Sequence, residues 1–184
     1  MNSTNSSLAH RVDGDASDNS LNEKAMDHQF LTFELAGEEY GINITKVQEI
    51  KGWLPVTRIP NTPEFVSGVL NLRGNIVPII DMRCRFNLGR AEYSATTVII
   101  VLSVEDYNRS RDIGIIVDAV SDVLNVNNED IKDPPEFGEN INVEFISGLT
   151  TTGGKMVMLL DIDKMLLKNE LEIIDDTVKS SENN

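Results

Sequence analysis

The sequence predicts a mostly β protein built as two similar small barrels. Three features carry that expectation: a duplicated block, strand-length apolar runs, and glycine-centred turns between them. In PEFVSGVLNLRGNIVPIIDM, Gly68, Gly74 and Asp81 recur as Gly148, Gly154 and Asp161, each 80 residues further on. The apolar run 76–80 maps in the same way onto 156–160. Upstream, GINITKVQEI from Gly41 matches GIIVDAVSDV from Gly114, 73 residues apart, setting Val47 and Glu49 against Val120 and Asp122. Self-similarity at a nearly fixed offset is the mark of a duplicated structural unit. The copies part company at one turn, where Arg73-Gly74 becomes Gly153-Gly154, so function is sought there first.

The elements follow in order. Residues 1–29 are rich in Ser, Asn and Asp without apolar periodicity and read as a disordered tail. In FLTFEL, Leu31, Phe33 and Leu35 alternate with Thr32 and Glu34, the period of a half-buried strand. Ala36-Gly37-Glu38 supplies a turn, and Tyr40, Ile42 and Ile44 alternate in the return strand. Pro55 and the Pro60-Asn61-Thr62-Pro63 cluster mark a loop. Phe65, Val69 and Leu72 stand at helical spacing, which predicts a short helix over 64–72 ending at Gly74. Residues 76–82 read as a strand whose Pro78 suits an edge or a bulge. Segments 97–104 and 113–117 are paired β-rich runs around a polar loop, 105–112. Strands resume over 141–149 and 156–160, joined by a turn at 150–154, and Ile162, Met165 and Leu166 predict a closing helix. The ordered unit is placed at 30–167, and 168–184 reads as the helix end and a frayed acidic tail.

Composition excludes several classes. The net charge is −14, of which the 30–167 body carries −8, so phosphate backbones and anionic membrane faces are repelled. No apolar stretch approaches the roughly 20 residues of a spanning helix, and the polar N-terminus has no secretory apolar core. The single Cys84 cannot form an internal disulfide, which fits a reducing cytosol. A cytoplasmic location is the expectation.

Catalytic readings find little to work with. His10 and His28 have no carboxylate or thiol arranged beside them, and no phosphate-binding loop is present. Cys84, without a companion histidine, reads as a small buried or half-buried side chain, although Arg83 and Arg85 would lower its pKa if it were exposed. Asp81 and Asp161 invite a paired-carboxylate reading. Each follows an apolar strand in its own copy, so a duplicated capping role is expected instead. A nucleic-acid-binding barrel would need interleaved cations and aromatics, and the only basic cluster is Arg83, Arg85 and Arg90.

NLRGNIVPIIDM, the preceding PEFVSG, FELAGEEYGINITKVQEI and GIIVDAVSDVLNV together resemble the CheW family, the small adaptors of bacterial chemotaxis signalling. The match runs in order from about residue 30 to 167, and departs in the longer polar tail and the 104–112 loop. The resemblance implies two intertwined five-stranded SH3-like β-barrels around a shared core, with short helices and a C-terminal helix. It implies no catalysis and no cofactor. Its partners would be the regulatory domain of a CheA-type histidine kinase and the cytoplasmic tips of chemoreceptors, in arrays at the inner membrane. By motif position, Val47, Glu49 and Gly68 fall where kinase contacts are expected, and Arg73, Val98, Val120 and Val123 where receptor contact or its support is expected. The four valines are equally readable as core. Arg73 reads either as a solvated charge at a loop tip or, as favoured here, as a partner of Glu49 that holds the NLRG turn against the 47–50 segment. The runner-up reading is an orphan scaffold of the same family serving another kinase and receptor.

Overall fold

The computed structural model describes residues 28–89, 92–106, 109–135 and 144–165, with Glu172, Asp176 and Lys179 beyond them. Most of the expected N-terminal tail, and nearly all of the expected acidic end, lie outside the described residues. The strands are β1 (His28–Leu35), β2 (Glu38–Asn43), β3 (Val47–Gly52), β4 (Val66–Leu72), β5 (Asn75–Asp81), β6 (Val98–Asp106), β7 (Arg109–Val117), β8 (Ala119–Val126), β9 (Ile146–Thr152) and β10 (Lys155–Leu160). Two short helices follow β5 and β10: α1 (Met82–Arg85) and α2 (Ile162–Met165).

These strands make two five-stranded sheets, ordered β8-β1-β2-β10-β9 and β3-β6-β7-β5-β4. The duplication maps one onto the other: β3, β6, β7, β5 and β4 are the counterparts of β8, β1, β2, β10 and β9. Registers repeat with the sequence offsets. Gly41 pairs with Leu159 in one parallel ladder and Gly114 with Ile79 in the other. Both hairpins carry a bulge at the same place, between Val66 and Gly68 against Ile79–Ile80 and between Ile146 and Gly148 against 159–160. Neither sheet is built from one copy. The first takes β1 and β2 from the N-terminal half and β8 to β10 from the C-terminal half, so the barrels are intertwined.

Local chemistry sets the turns. Ala36-Gly37, Arg73-Gly74 and Gly153-Gly154 all have positive φ at both residues, the primed turn whose twist matches a two-residue hairpin. Asp81 and Asp161 play one duplicated role. The Asp81 carboxylate accepts from the Cys84 amide at 3.0 Å, and the Asp161 carboxylate accepts from the Lys164 amide at 3.3 Å, each capping the helix that follows.

Three expectations need correction. The 64–72 segment is not helical: 66–72 is strand β4, paired with β5 and bridged by Thr57. Its effective period is two, since Val66 and Gly68 are buried and Leu70 and Leu72 pack on the interior of their sheet. Pro78 does not sit on an edge, because β5 lies between β7 and β4. Its partner Val69 exchanges both backbone bonds with Thr57, at 3.0 and 2.8 Å, so Pro78 faces a pair that needs no N–H toward β4. On its other side the ladder with β7 starts one residue later, at Ile79. Finally, the polar 105–112 segment is mostly strand, with β6 and β7 paired out to Asp106 and Arg109.

One main core joins the sheets. Phe33, Leu35 and Ile42 from the first sheet pack with Ile80, Ile100, Leu102, Ile113 and Ile115 from the second, all fully buried or nearly so. Each sheet keeps a smaller interior cluster of its own, around Ile79, Ile99 and Val101 in one and Phe30, Val157 and Leu159 in the other.

Candidate partner-binding surfaces

The β3 and β4 strands are opposite edges of their sheet, yet the sheet curls far enough to bring them together. The link is Arg73, on the β4–β5 turn, whose Nη2 lies 2.9 Å from Oε2 of Glu49 on β3. Lys51, on the same face of β3, holds the other Glu49 oxygen at 2.7 Å. The Glu49 carboxyl is held below its ordinary pKa, first by the hydrogen bond from Lys51 and then by the Arg73 charge. Arg73 sits at φ 56, where Gly153 has φ 55 in the other hairpin. A non-glycine residue there carries backbone strain, so the arginine is present despite the turn geometry.

The counterpart seam, between β8 and β9, has Gly153 in place of the arginine. It opens as a cleft of about 510 Å³ lined by Leu124, Lys132, Leu149 and Met156 among others. A second recess of about 620 Å³ lies between the 53–67 connection and α1, with Trp53 and Tyr93 on its wall. Tyr93 donates its hydroxyl to the Asp81 carboxylate at 3.1 Å.

The remaining predicted residues divide. Val47, Val98 and Val120 are half-buried against the main core, while Val123 is 45% exposed on the outer strand β8. Val98 begins β6 opposite Gly52 and Val117, so it lies beside the link that carries the chain to β8. Gly68 is buried, with its Cβ position already taken by the Thr57 carbonyl oxygen. It therefore shapes the β4 edge and contributes no side chain to it.

Two ion-paired junctions escaped the sequence reading. At the β7–β8 link, Asp118 receives Arg83 of α1 through two nitrogens, with Nη2–Oδ2 at 2.6 Å and Nε–Oδ1 at 2.8 Å. The same carboxylate accepts from the Ala36 amide, at the β1–β2 turn, at 2.8 Å. At the β2–β3 link, Lys46 lies 2.8 Å from Asp163 of α2 and 3.4 Å from Glu105, and Asp163 also accepts the Glu105 amide at 2.9 Å. The partners of these pairs are 35 to 117 residues apart in sequence, beyond any local pattern. The one available signal was that Arg83 and Asp163 hold matching places two residues after the capping aspartates.

Burial opposes ionisation of Asp118, but the Arg83 hydrogen bonds and the Ala36 amide outweigh it and leave the carboxyl below its ordinary value. A depressed folded-state pKa contributes stability above the unfolded value, about 3.9 for Asp, and that contribution is lost as pH falls through the folded value. Thermal midpoints of the wild type and Asp118→Asn should therefore differ by a constant amount from pH 5 to 8, the gap closing in acid below about pH 4. A gap independent of pH would show that the carboxylate charge contributes nothing.

Comparison with known proteins decides the family. The family model described as the CheW-like domain matches residues 29–170. The chain belongs to the CheW-like family. It is similar to the chemotaxis protein CheW of Klebsiella aerogenes, 48% identical over 152 residues that cover 83% of this chain and 89% of that one. The chemotaxis protein CheW of Rhizobium meliloti is 37% identical over 144 residues, covering 78% and 90%. Among solved structures, the scaffolding protein TtCheW of Thermoanaerobacter tengcongensis superposes with a TM-score of 0.69 at 34% identity, covering 79% of this chain and 91% of that one. The intertwined barrels described above are thus the CheW-like fold. No helix among the described residues is long and apolar enough to cross a membrane.

Proposed function

We propose that this chain is a non-catalytic adaptor that couples chemoreceptors to a CheA-type histidine kinase in the cytoplasm, at receptor arrays on the inner membrane. Family membership supports the adaptor role, since relatives carry the names chemotaxis protein and scaffolding protein. The observation that carries the site is the strained, surface-exposed Arg73 held on Glu49 across the barrel seam. A left-handed arginine adds nothing to a turn that Gly153 makes equally well, so its use lies in what it presents outward.

The kinase regulatory domain engages the β3–β4 edge, where Val47 and Glu49 stand and Gly68 sets the contour. Receptor tips engage a groove near the junction of the two barrels that Val98 and Val120 support from the core, with Arg73, at the seam of one barrel, and Val123, on the outer strand of the other, offering contact. No nucleic acid enters, given a net charge of −14. Joint engagement of both partners in an array gives avidity beyond either single affinity.

Binding of the purified protein to a CheA regulatory domain and to a receptor cytoplasmic fragment, by calorimetry, tests this. Arg73→Glu and Glu49→Arg should each weaken binding to at least one partner by about tenfold, with the fold intact, and the double reversal should recover part of the loss. No wild-type binding in the micromolar range would sink the reading and favour an orphan scaffold for another kinase and receptor. A double variant that binds no better than either single one would mean that Arg73 acts on the partner without Glu49.

A further inference from the structure

A duplicated chain faces a pairing problem. The observed barrels combine β1 and β2 with β8 to β10, and β3 to β5 with β6 and β7. Since β6 and β7 are the counterparts of β1 and β2, each copy could instead close on itself, as β3-β1-β2-β5-β4 and β8-β6-β7-β10-β9. The central ladders discriminate poorly between the two. Gly41 accepts Leu159 and Gly114 accepts Ile79, small glycine against a branched aliphatic chain in both cases.

The junction ion pairs do discriminate, because their polarity is reversed. In one, the helix carries the cation and the link the anion: Arg83 of α1 on Asp118 of the β7–β8 link. In the other, the helix carries the anion and the link the cation: Asp163 of α2 on Lys46 of the β2–β3 link. Arg83 and Asp163 are counterparts at the 80-residue offset, and Asp118 is the counterpart of Thr45, next to Lys46, at the 73-residue offset. All four side chains are about a quarter to a third exposed, so their charges meet in a partly desolvated setting. Each junction also fixes a hairpin, through the Ala36 amide on Asp118 and the Glu105 amide on Asp163. If each copy closed on itself, α1 would pack on its own β2–β3 link and bring Arg83 to Lys46. Likewise α2 would bring Asp163 to Asp118. Both junctions would then set like charge on like charge.

We infer that the opposite polarity of the Arg83–Asp118 and Asp163–Lys46 junctions selects the intertwined pairing of the two copies over self-closure. These four residues are positioning residues: they determine which strands share a barrel and hence that the junction surface exists at all. The inference stands whether or not the partners proposed above are correct.

Reversing one junction alone tests it. Lys46→Asp with Asp163→Lys keeps an ion pair in the native arrangement but gives both junctions the same polarity, so self-closure becomes equally well paired. Arg83→Asp with Asp118→Arg does the same from the other side. All four changes together restore opposite polarity. The readout is the fraction of full-length chain that regains the amide NMR spectrum of the untreated variant after dilution from denaturant. Each one-junction variant should recover about threefold less than the wild type, and the four-fold variant should recover more than either. That order runs against the number of substitutions, and against the backbone bonds lost at Ala36 and Glu105, so a merely structural role would not produce it. Equal recovery by the wild type and the one-junction variants would overturn the inference. So would a four-fold variant that recovers no better than they do or fails to fold.

Discussion

Gly68→Ala is expected to lower the stability of this chain by about 2–4 kcal/mol, a fall of roughly 5–15 °C in thermal midpoint. Gly68 has φ +149, and a Cβ built there would lie 2.2 Å from the Thr57 carbonyl oxygen and 2.8 Å from its carbon. The obstacle is backbone, so no rotamer change relieves it. Thr57 exchanges two backbone bonds with Val69, at 3.0 and 2.8 Å, and that bridge ties the loop from one sheet edge to the strand at the other. Alanine must break the bridge or distort the bulge beside it, and kinase binding, if it uses the β3–β4 edge as proposed, should fall with it. The duplication supplies a control. A Cβ at the counterpart Gly148 meets the Ile131 Cγ2 atom at 2.5 Å, a side chain that can turn away, and its φ is not in the positive range. Gly148→Ala should cost less than half as much. A thermal shift under about 2 °C for Gly68→Ala would contradict the account.

Phe33→Ala should destabilise by about 3–5 kcal/mol and should unfold both barrels together. Phe33 is 0% exposed, stacks on Tyr40 with centroids 5.9 Å apart, and belongs to a core that includes Ile80, Ile100 and Ile115 of the other sheet. Removing the ring leaves a cavity shared by both units, and neither can relax alone to fill it. Calorimetry should show a single transition moved to lower temperature. Two transitions, one at the wild-type midpoint, would mean that the barrels are energetically separate despite their common core.

Much of the architecture was legible because the duplication shows directly as self-similarity and the short-period patterns are local. Leu31, Phe33 and Leu35 declare a strand by alternation and all three are buried, although Thr32 between them is buried as well, so β1 is covered on both faces there. Asp81 and Asp161, read as matching caps, each receive the amide three residues on. The Glu49–Arg73 pair was also foreseeable, because the point where the copies diverge isolates the arginine from its geometric role. The errors arose where a longer-range contact overruled a local signal. Phe65, Val69 and Leu72 stand at helical spacing, yet pairing with β5 and the bridge to Thr57 make a strand there. Pro78 reads as an edge or bulge residue; it lies beside the bulge and not on an edge, and its missing N–H falls where neither neighbouring ladder asks for one.

The sequence by itself determined most of the strands, though not β3, β4 or β8, together with the three glycine turns, the capping aspartates and the presence of two equivalent units. Apart from the duplication, which shows as self-similarity 73 to 80 residues apart, these depend on residues within a few positions of each other, where backbone geometry and hydrophobic period act directly. Only the tertiary structure decided which strands share a barrel, that Val47, Val98 and Val120 lean on a core common to both, and that Arg83 meets Asp118 while Lys46 meets Asp163. Two similar halves offer nearly the same apolar pattern to either partner, so the pattern cannot choose between them. The choice rests on charges brought together from distant positions, whose pairing exists only once the chain has crossed from one sheet to the other.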